Sequence, residues 1–202
     1  LCDRRQRQMC IRDRVVVEES EIEEGYVKII VTRGSDDHNF TIPARSALQP
    51  NVLVYGKPID LNAIEKVQSG VNCITLDDDR GHHCDILSLN QLNNMMARAE
   101  AQKKNCYDAV FIKDGLLTEA SHSNVCIVKA GVIWTPATNE HMIRGVTRSL
   151  VLTRAAPSAG VTSIDEASEP VRFEDMMTAE EVFLTNSQDG IIPVLSIDGN
   201  PI

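Results

Sequence analysis

Strand-length β-branched runs alternating with segments of helical period predict an α/β fold. Tyr26–Thr32 is such a run, ending at Arg33-Gly34, and Ser88–Lys104 carries Leu89, Leu92, Met96 and Ala99 at helical spacing behind Ser88 as a plausible N-cap. A break at Gly56-Lys57-Pro58 divides the chain into two regions and opens a linker.

The remaining elements follow in order. Asn51–Tyr55 reads as a second strand and Asp60–Gln68 as a short helix or turn inside the linker. Beyond Gly70, Val71–Leu76 is a strand that runs into the acidic stretch Asp77, Asp78, Asp79, read as a solvated loop. Ala109–Ile112 and Val125–Val128 are strands, and Ala130-Gly131 turns the latter into Val132-Ile133-Trp134. Val146–Ala156 is a helix with Val146, Leu150, Val151 and Ala155 on its apolar face, stopped by Pro157 and Gly160. Phe173–Glu180 is one more helix, Val182–Thr185 and Pro193–Ile197 are strands, and Asp198-Gly199 is a hairpin turn.

At 202 residues, 43% hydrophobic and 24% charged, the chain has the composition of a globular protein with a real core. A formal charge of −9 disfavours nucleic acid and anionic membrane as partners, and the apolar runs are far shorter than a bilayer span. The six cysteines form no CxxC pair and are read as reduced, mostly buried thiols of a cytoplasmic protein. The sequon Asn39-Phe40-Thr41 is taken as chance. Residues 1–14 pack five arginines and two cysteines around almost no periodic apolar pattern and are read as a non-native segment.

Five segments in fixed order carry a family resemblance. They are Val31-Thr32-Arg33-Gly34; Cys84-Asp85-Ile86-Leu87-Ser88-Leu89-Asn90; Tyr107–Phe111 with Leu117–Val125; Arg144–Arg148; and Ile192-Pro193-Val194. From about Tyr26 to its end the chain resembles the pyridoxal-phosphate-dependent class IV aminotransferases, most closely the D-amino-acid transaminase branch. The resemblance implies a two-domain α/β fold of the D-amino-acid and branched-chain aminotransferase type, here short at both ends. Residues 15–55 would be the end of the small N-terminal domain, 56–69 the interdomain linker and 70–202 an incomplete large cofactor-binding domain. It also implies pyridoxal 5′-phosphate as cofactor, an amino acid and a 2-oxo acid as substrates, and a homodimer.

Carried over residue by residue, the resemblance puts Glu119, on the turn after the Tyr107–Ile112 strand, at the pyridine nitrogen, where a carboxylate keeps the ring protonated as an electron sink. It puts Gly145, Val146 and Thr147 at the phosphate, by backbone amides and the Thr147 hydroxyl, with Ser123 and Ser187 beside them. At the position of the Schiff-base lysine stands Leu87, 32 positions before Glu119. Leucine has no nitrogen to attach the cofactor or move a proton, so no catalytic residue is assigned and activity is expected to be impaired or absent. Lys103 and Lys104 lie at the far end of the helix, roughly 20 Å away, and Lys113 and Lys129 are expected to face water. The loop after Gly34 lacks the branch's substrate-clamping arginine; His38 is the surviving substrate-binding candidate, and Asp36 and Asp37 would repel a carboxylate.

His82-His83-Cys84-Asp85 offers ligand atoms, but four adjacent residues do not converge on one ion, so no metal is expected. His122 stands where the family prefers a small hydroxyl and is read either as crowding or hydrogen-bonding the cofactor or as turning outward. The functional expectation is an aminotransferase-like protein impaired by Leu87. The alternatives are a non-catalytic paralogue that binds the cofactor or a metabolite, and an aminodeoxychorismate-lyase-like enzyme on the same scaffold.

Overall fold

The computed structural model describes residues 13–34, 49–164 and 170–202. His38 and its neighbours Asp36 and Asp37, like most of the arginine-rich start, lie outside the described residues. The chain forms two compact units, Leu1–Leu61 and Asn62–Ile202.

In the first unit, residues 13–19 are helical (α1) and β1 (Gly25–Thr32) pairs antiparallel with β2 (Asn51–Pro58), from Gly25 opposite Pro58 to Thr32 opposite Asn51. Gly56-Lys57-Pro58 therefore does not break the strand. Gly56 lies under Ile22, Ser20 and Val16, where a side chain would crowd, and Pro58 takes the last position, where no further ladder donor is needed.

The second unit opens with α2 (Leu61–Gln68) and is organised by one nine-stranded mixed sheet. Its strands are β3 (Val71–Asp77), β4 (Asp108–Lys113), β5 (Leu116–Ala120), β6 (Asn124–Lys129), β7 (Val132–Trp134), β8 (Thr162–Ile164), β9 (Glu181–Asn186), β10 (Gly190–Ile197) and β11 (Asn200–Pro201). Their spatial order is β5-β4-β3-β10-β9-β6-β7-β8, with β11 on β10; the pairs β10–β3, β3–β4 and β7–β8 are parallel.

The central strands bury both faces by simple alternation. On β4, Val110 joins Leu184, Ile192 and Ile197 on one side, while Ala109 and Phe111 meet Ala97 and Ala101 of helix α3 (Leu92–Lys103) on the other. On β6, Val125 and Ile127 face the first cluster, and Cys126 packs with Val151, Leu152 and Ala156 of the helical run that follows residue 145.

Four expectations from the sequence are corrected. α3 begins at Leu92 after an N-cap at Gln91, not at Ser88, and it buries Ala97 and Ala101. Leu89, Leu92 and Met96 stay exposed, and the face of the helix that packs on the sheet carries Ala97 and Ala101 against Ile74, Ala109 and Phe111. The helix from Val146 is α4 (Val146–Leu150), a π-helical turn (Val151–Ala155) and α5 (Ala156–Ser158), running through Pro157. The wider π turn shifts the inward face to Val151, Leu152 and Ala156, leaving Val146, Leu150 and Ala155 exposed. The helix α6 (Phe173–Met177) stops short of Glu180, whose carboxylate instead accepts the Ala130 and Gly131 amides at 2.9 and 3.2 Å. Finally, Asp114 and Gly115, both at positive φ, turn β4 into β5, so Glu119 lies within a strand and not on a turn.

Of the cysteines described, Cys73 and Cys126 are buried and Cys84 and Cys106 half-buried, and no two of them are joined in a disulfide; burial pushes the Cys73 thiol up.

The small-residue face of α3 sets a test. Ala101→Leu is expected to lower stability by about 1–3 kcal/mol through overpacking, whereas Met96→Gln stays within about 0.5 kcal/mol. Denaturant midpoints in the reverse order would restore the leucine-methionine stripe as the buried face.

Candidate functional site

The edge-side strands β4 and β5 carry a buried ionic knot. Arg80, two residues past Asp78, folds back so that its guanidinium grips Asp78 with two arms, Nε to Oδ1 at 2.8 Å and Nη2 to Oδ2 at 2.7 Å. Its third arm, Nη1, meets Glu119 Oε1 at 2.5 Å, and Nη2 also donates to the His141 carbonyl at 2.9 Å. The Phe111 ring lies under the guanidinium, 4.2 Å from its centre. Thr118 donates its hydroxyl to Asp78 at 2.8 Å, and the Ile143 amide donates to Glu119 Oε2 at 2.9 Å. Asp78 is thus a buried structural anion; the solvated-loop reading of residues 77–79 holds only for Asp77 and Asp79, which are exposed.

The two acids respond differently to the same cation. Burial tends to raise Asp78, but the bidentate Arg80 and Thr118 outweigh it and hold the carboxyl below its usual value. For Glu119 burial prevails over its single arm of Arg80 and the Ile143 amide, so its pKa is raised. Arg80 itself is driven upward: burial works against its charge, and the two carboxylates overcome that. One guanidinium between two carboxylates leaves a surplus negative charge, and it is Glu119 that faces open space.

That space is a cleft of about 330 Å³ whose lining includes Leu87, Glu119, Ser123, Gly145, Val146, Thr147 and Ser187. A second cavity of about 340 Å³, walled by Arg80, His82, His83 and Cys84, shares Glu119, Gln91, Asn94 and Ile143 with it. Every cofactor-site residue expected from the sequence comes together around the first cleft. The end distant from Glu119 is built where β6 begins, β9 ends and α4 starts. Asn124 fixes that junction by accepting the Gly145 amide at 3.1 Å and donating to the Ile143 carbonyl at 2.7 Å. A Cβ on Gly145 would collide with Asn124 Oδ1, which is why glycine stands there.

Leu87 sits at the rim with 74% of its surface exposed. No lysine is among the described residues that line either cavity. Lys103 and Lys129 are tied to Glu100 and Asp175 at 3.0 and 2.6 Å. His122 also borders the cleft, but its ring is held on the protein side, with Nδ1 2.9 Å from the buried Asp108 Oδ2, Nε2 3.2 Å from the Tyr107 hydroxyl, and Arg98 in contact. Among the described residues no group of three His, Cys, Asp or Glu is placed to hold a metal ion; His82 of the His-His-Cys-Asp run pairs with Glu140 at 3.2 Å.

Sequence reasoning missed Arg80, Asp78, Asn124 and Asn186. The only signal was Asp78-x-Arg80, which read as surface charge because nothing in the string shows that Glu119 returns beside it. The fit to a phosphorylated pyridine is good in outline: the cleft is lined by an acid, by the Gly145 turn at the start of α4, and by Thr185, whose buried hydroxyl meets no hydrogen-bond partner among the described residues.

Residues 4–197 match the family model for amino-transferase class IV. The D-alanine aminotransferase of Bacillus licheniformis is 37% identical over 179 residues, 89% of this chain and 61% of that protein. The D-alanine aminotransferase of Staphylococcus aureus (strain N315) is 32% identical over 189 residues, 94% of this chain and 65% of that protein. The chain therefore spans somewhat under two thirds of the length of these relatives. The branched-chain amino acid aminotransferase of Escherichia coli superposes with a TM-score of 0.82 at 20% identity, over 98% of this chain and 65% of that one.

If Arg80 is what makes two buried carboxylates tolerable, Arg80→Met is expected to cost about 3–5 kcal/mol in urea unfolding. Arg80→Lys, which keeps the charge but not the fork, should recover less than half of that. A loss below about 1 kcal/mol for Arg80→Met would show that the acids do not depend on the pair.

Proposed function

This chain belongs to the class IV aminotransferase family, on its D-amino-acid transaminase branch, and from that premise we propose that it binds pyridoxal 5′-phosphate noncovalently in the cleft beside Glu119 and is impaired in amino transfer. Pyridoxal 5′-phosphate is the cofactor of the family. When bound, the ring supplies an electron sink for a substrate carbanion.

The protein's part is read from its own groups. Glu119, held by Arg80 and the Ile143 amide, would carry the surplus negative charge of the knot and accept a hydrogen bond from a protonated ring nitrogen. Ser123, Ser187 and the backbone at Gly145, Val146 and Thr147 would take the phosphate. The reaction is the exchange of an amino group between a small amino acid and a 2-oxo acid, with D-alanine the first donor to test because the curated relatives are named for it. His38 remains the proposed contact for the substrate carboxylate.

The observation that carries the reading is Leu87 at the rim of a cleft whose described lining has no lysine. The α-proton of a substrate then has no amine to receive it, and the cofactor no amine to hold it. The same exposed stretch, Ile86, Leu87, Leu89, Leu92, Met95 and Met96, supports a homodimer in which a second copy covers it. That the four described cysteines form no disulfide with one another is in keeping with a cytoplasmic setting.

Titration with pyridoxal 5′-phosphate, followed by borohydride and peptide mapping, tests the reading. Saturable absorbance change that gel filtration reverses is expected, with no reduced adduct on any lysine. Leu87→Lys is expected to yield an adduct at residue 87 and to raise amino transfer from D-alanine by about 100-fold or more. Failure to bind the cofactor would overturn the binding assignment. An adduct on a native lysine, or equal turnover without the substitution, would overturn the impairment.

A further inference from the structure

The hydroxyls at the phosphate end of the cleft are not equivalent, and a single amide side chain sorts them. Thr147 donates its only hydroxyl proton to the Asn186 carbonyl at 2.9 Å. It has lone pairs to offer but no proton, and an anion takes protons. Ser123 is in the opposite condition. Its oxygen accepts from Asn186 Nδ2 at 3.2 Å, and its own proton meets no acceptor among the described residues. Thr185, 1% exposed and bordering the same cleft, has a hydroxyl with no partner at all among them.

Asn186 is fixed on all sides. Its Oδ1 accepts the amides of Gln188 and Asp189 at 2.9 and 2.7 Å, tying the side chain to the loop that carries Ser187. Tyr107 spends its proton on Asp189 at 2.6 Å, so that pair accepts from Nδ2 and does not donate to it. Two amide hydrogens thus face three acceptors, Ser123, Tyr107 and Asp189, and Ser123 is the nearest. The amide cannot be turned over without presenting its oxygen to Asp189 and its hydrogens to two backbone donors.

We propose that Asn186 is the positioning residue of the anion end: it turns the Ser123 proton into the cleft, so that Ser123 and Thr185, and not the Thr147 hydroxyl, donate to a bound phosphate. Thr147 keeps only its backbone amide for that purpose. This rests on the reading of the cleft as a phosphate site, and it changes which side chains do the binding.

The test uses the 202-residue chain, with inorganic phosphate and pyridoxal 5′-phosphate as separate probes and dissociation constants from calorimetry. Ser123→Ala and Thr185→Val are each expected to weaken both probes about 10-fold or more, as for hydrogen bonds to a charged group, while Thr147→Val causes the smaller loss. In an Asn186→Ala background the Ser123→Ala penalty should shrink to under about 3-fold, because the proton is no longer aimed. The amides of Gln188 and Asp189 should then exchange faster with solvent, with β9 unchanged. A purely structural Asn186 would lower the melting temperature and leave the Ser123→Ala penalty intact, which overturns the proposal. So would Thr147→Val costing more than Ser123→Ala. Wild-type protein that binds neither probe overturns the phosphate-site reading, whereas a wild type that binds while the variants follow the wrong order overturns this proposal alone.

Discussion

The cleft depends on one guanidinium shared unequally between two buried carboxylates. Arg80 gives two arms to Asp78 and one to Glu119, so the first acid is neutralised and the second is only steadied. The inequality is useful. A carboxylate fully paired with arginine would have little charge left for a ring nitrogen, and an unpaired one at this depth would take up a proton. Asp78 absorbs most of the guanidinium, and the Ile143 amide keeps the free edge of Glu119 oriented. The sheet makes the arrangement possible: β3 and β4 run parallel, and the Asp114-Gly115 hairpin returns β5 beside β4, setting Thr118 and Glu119 next to residues some forty positions earlier.

The other end of the cleft follows a similar economy with neutral groups. Asn124 and Asn186 occupy the ends of neighbouring strands β6 and β9, each satisfied in several directions by backbone. Asparagine suits this role because it donates and accepts from fixed positions on one plane. The hydroxyls around them have only one proton each, so the amides decide which ones are free. Charge at this end is held apart from the cleft: Asp189 is occupied by Tyr107, and Asp108 by His122 and Ser121. Two acids near a phosphate site would repel it if they were open to it.

Much of this was legible in the sequence because strands with both faces buried advertise themselves as apolar runs. Val71–Asp77, Asp108–Lys113 and Asn124–Lys129 differ from their predicted bounds by one residue at an end or two. The candidate residues Glu119, Ser123, Gly145, Val146, Thr147 and Ser187 are named through a resemblance, and that they line one cleft is a three-dimensional fact that no spacing reveals. What failed was periodicity used as a measure of burial. The leucine and methionine stripe before and along α3 lies outward while the inward face is made of Ala97 and Ala101, and the π turn after Leu150 moved the apolar face of the next helix by a fraction of a turn. Arg80 and Asp78 failed for another reason: a charged residue declares its burial only through its partner, and theirs is distant in sequence.

Leu87 and Glu119 carry different weight as witnesses to function. Glu119 belongs to the Arg80 knot, so the fold itself gives a reason for its presence, and a carboxylate there would be expected in a protein that binds nothing. Leu87 is 74% exposed, so the fold gives no reason for a leucine at that point. The groups that speak for a ligand are those with no structural task. Thr185 keeps a buried hydroxyl unpaired where valine would fill the same volume without the desolvation cost of about 1–3 kcal/mol. Ser123 accepts from an amide that is itself held rigid and keeps a proton that meets no acceptor among the described residues. The unmet hydrogen bonds, more than the carboxylate that matches a motif, are the observations that support the proposed anion site.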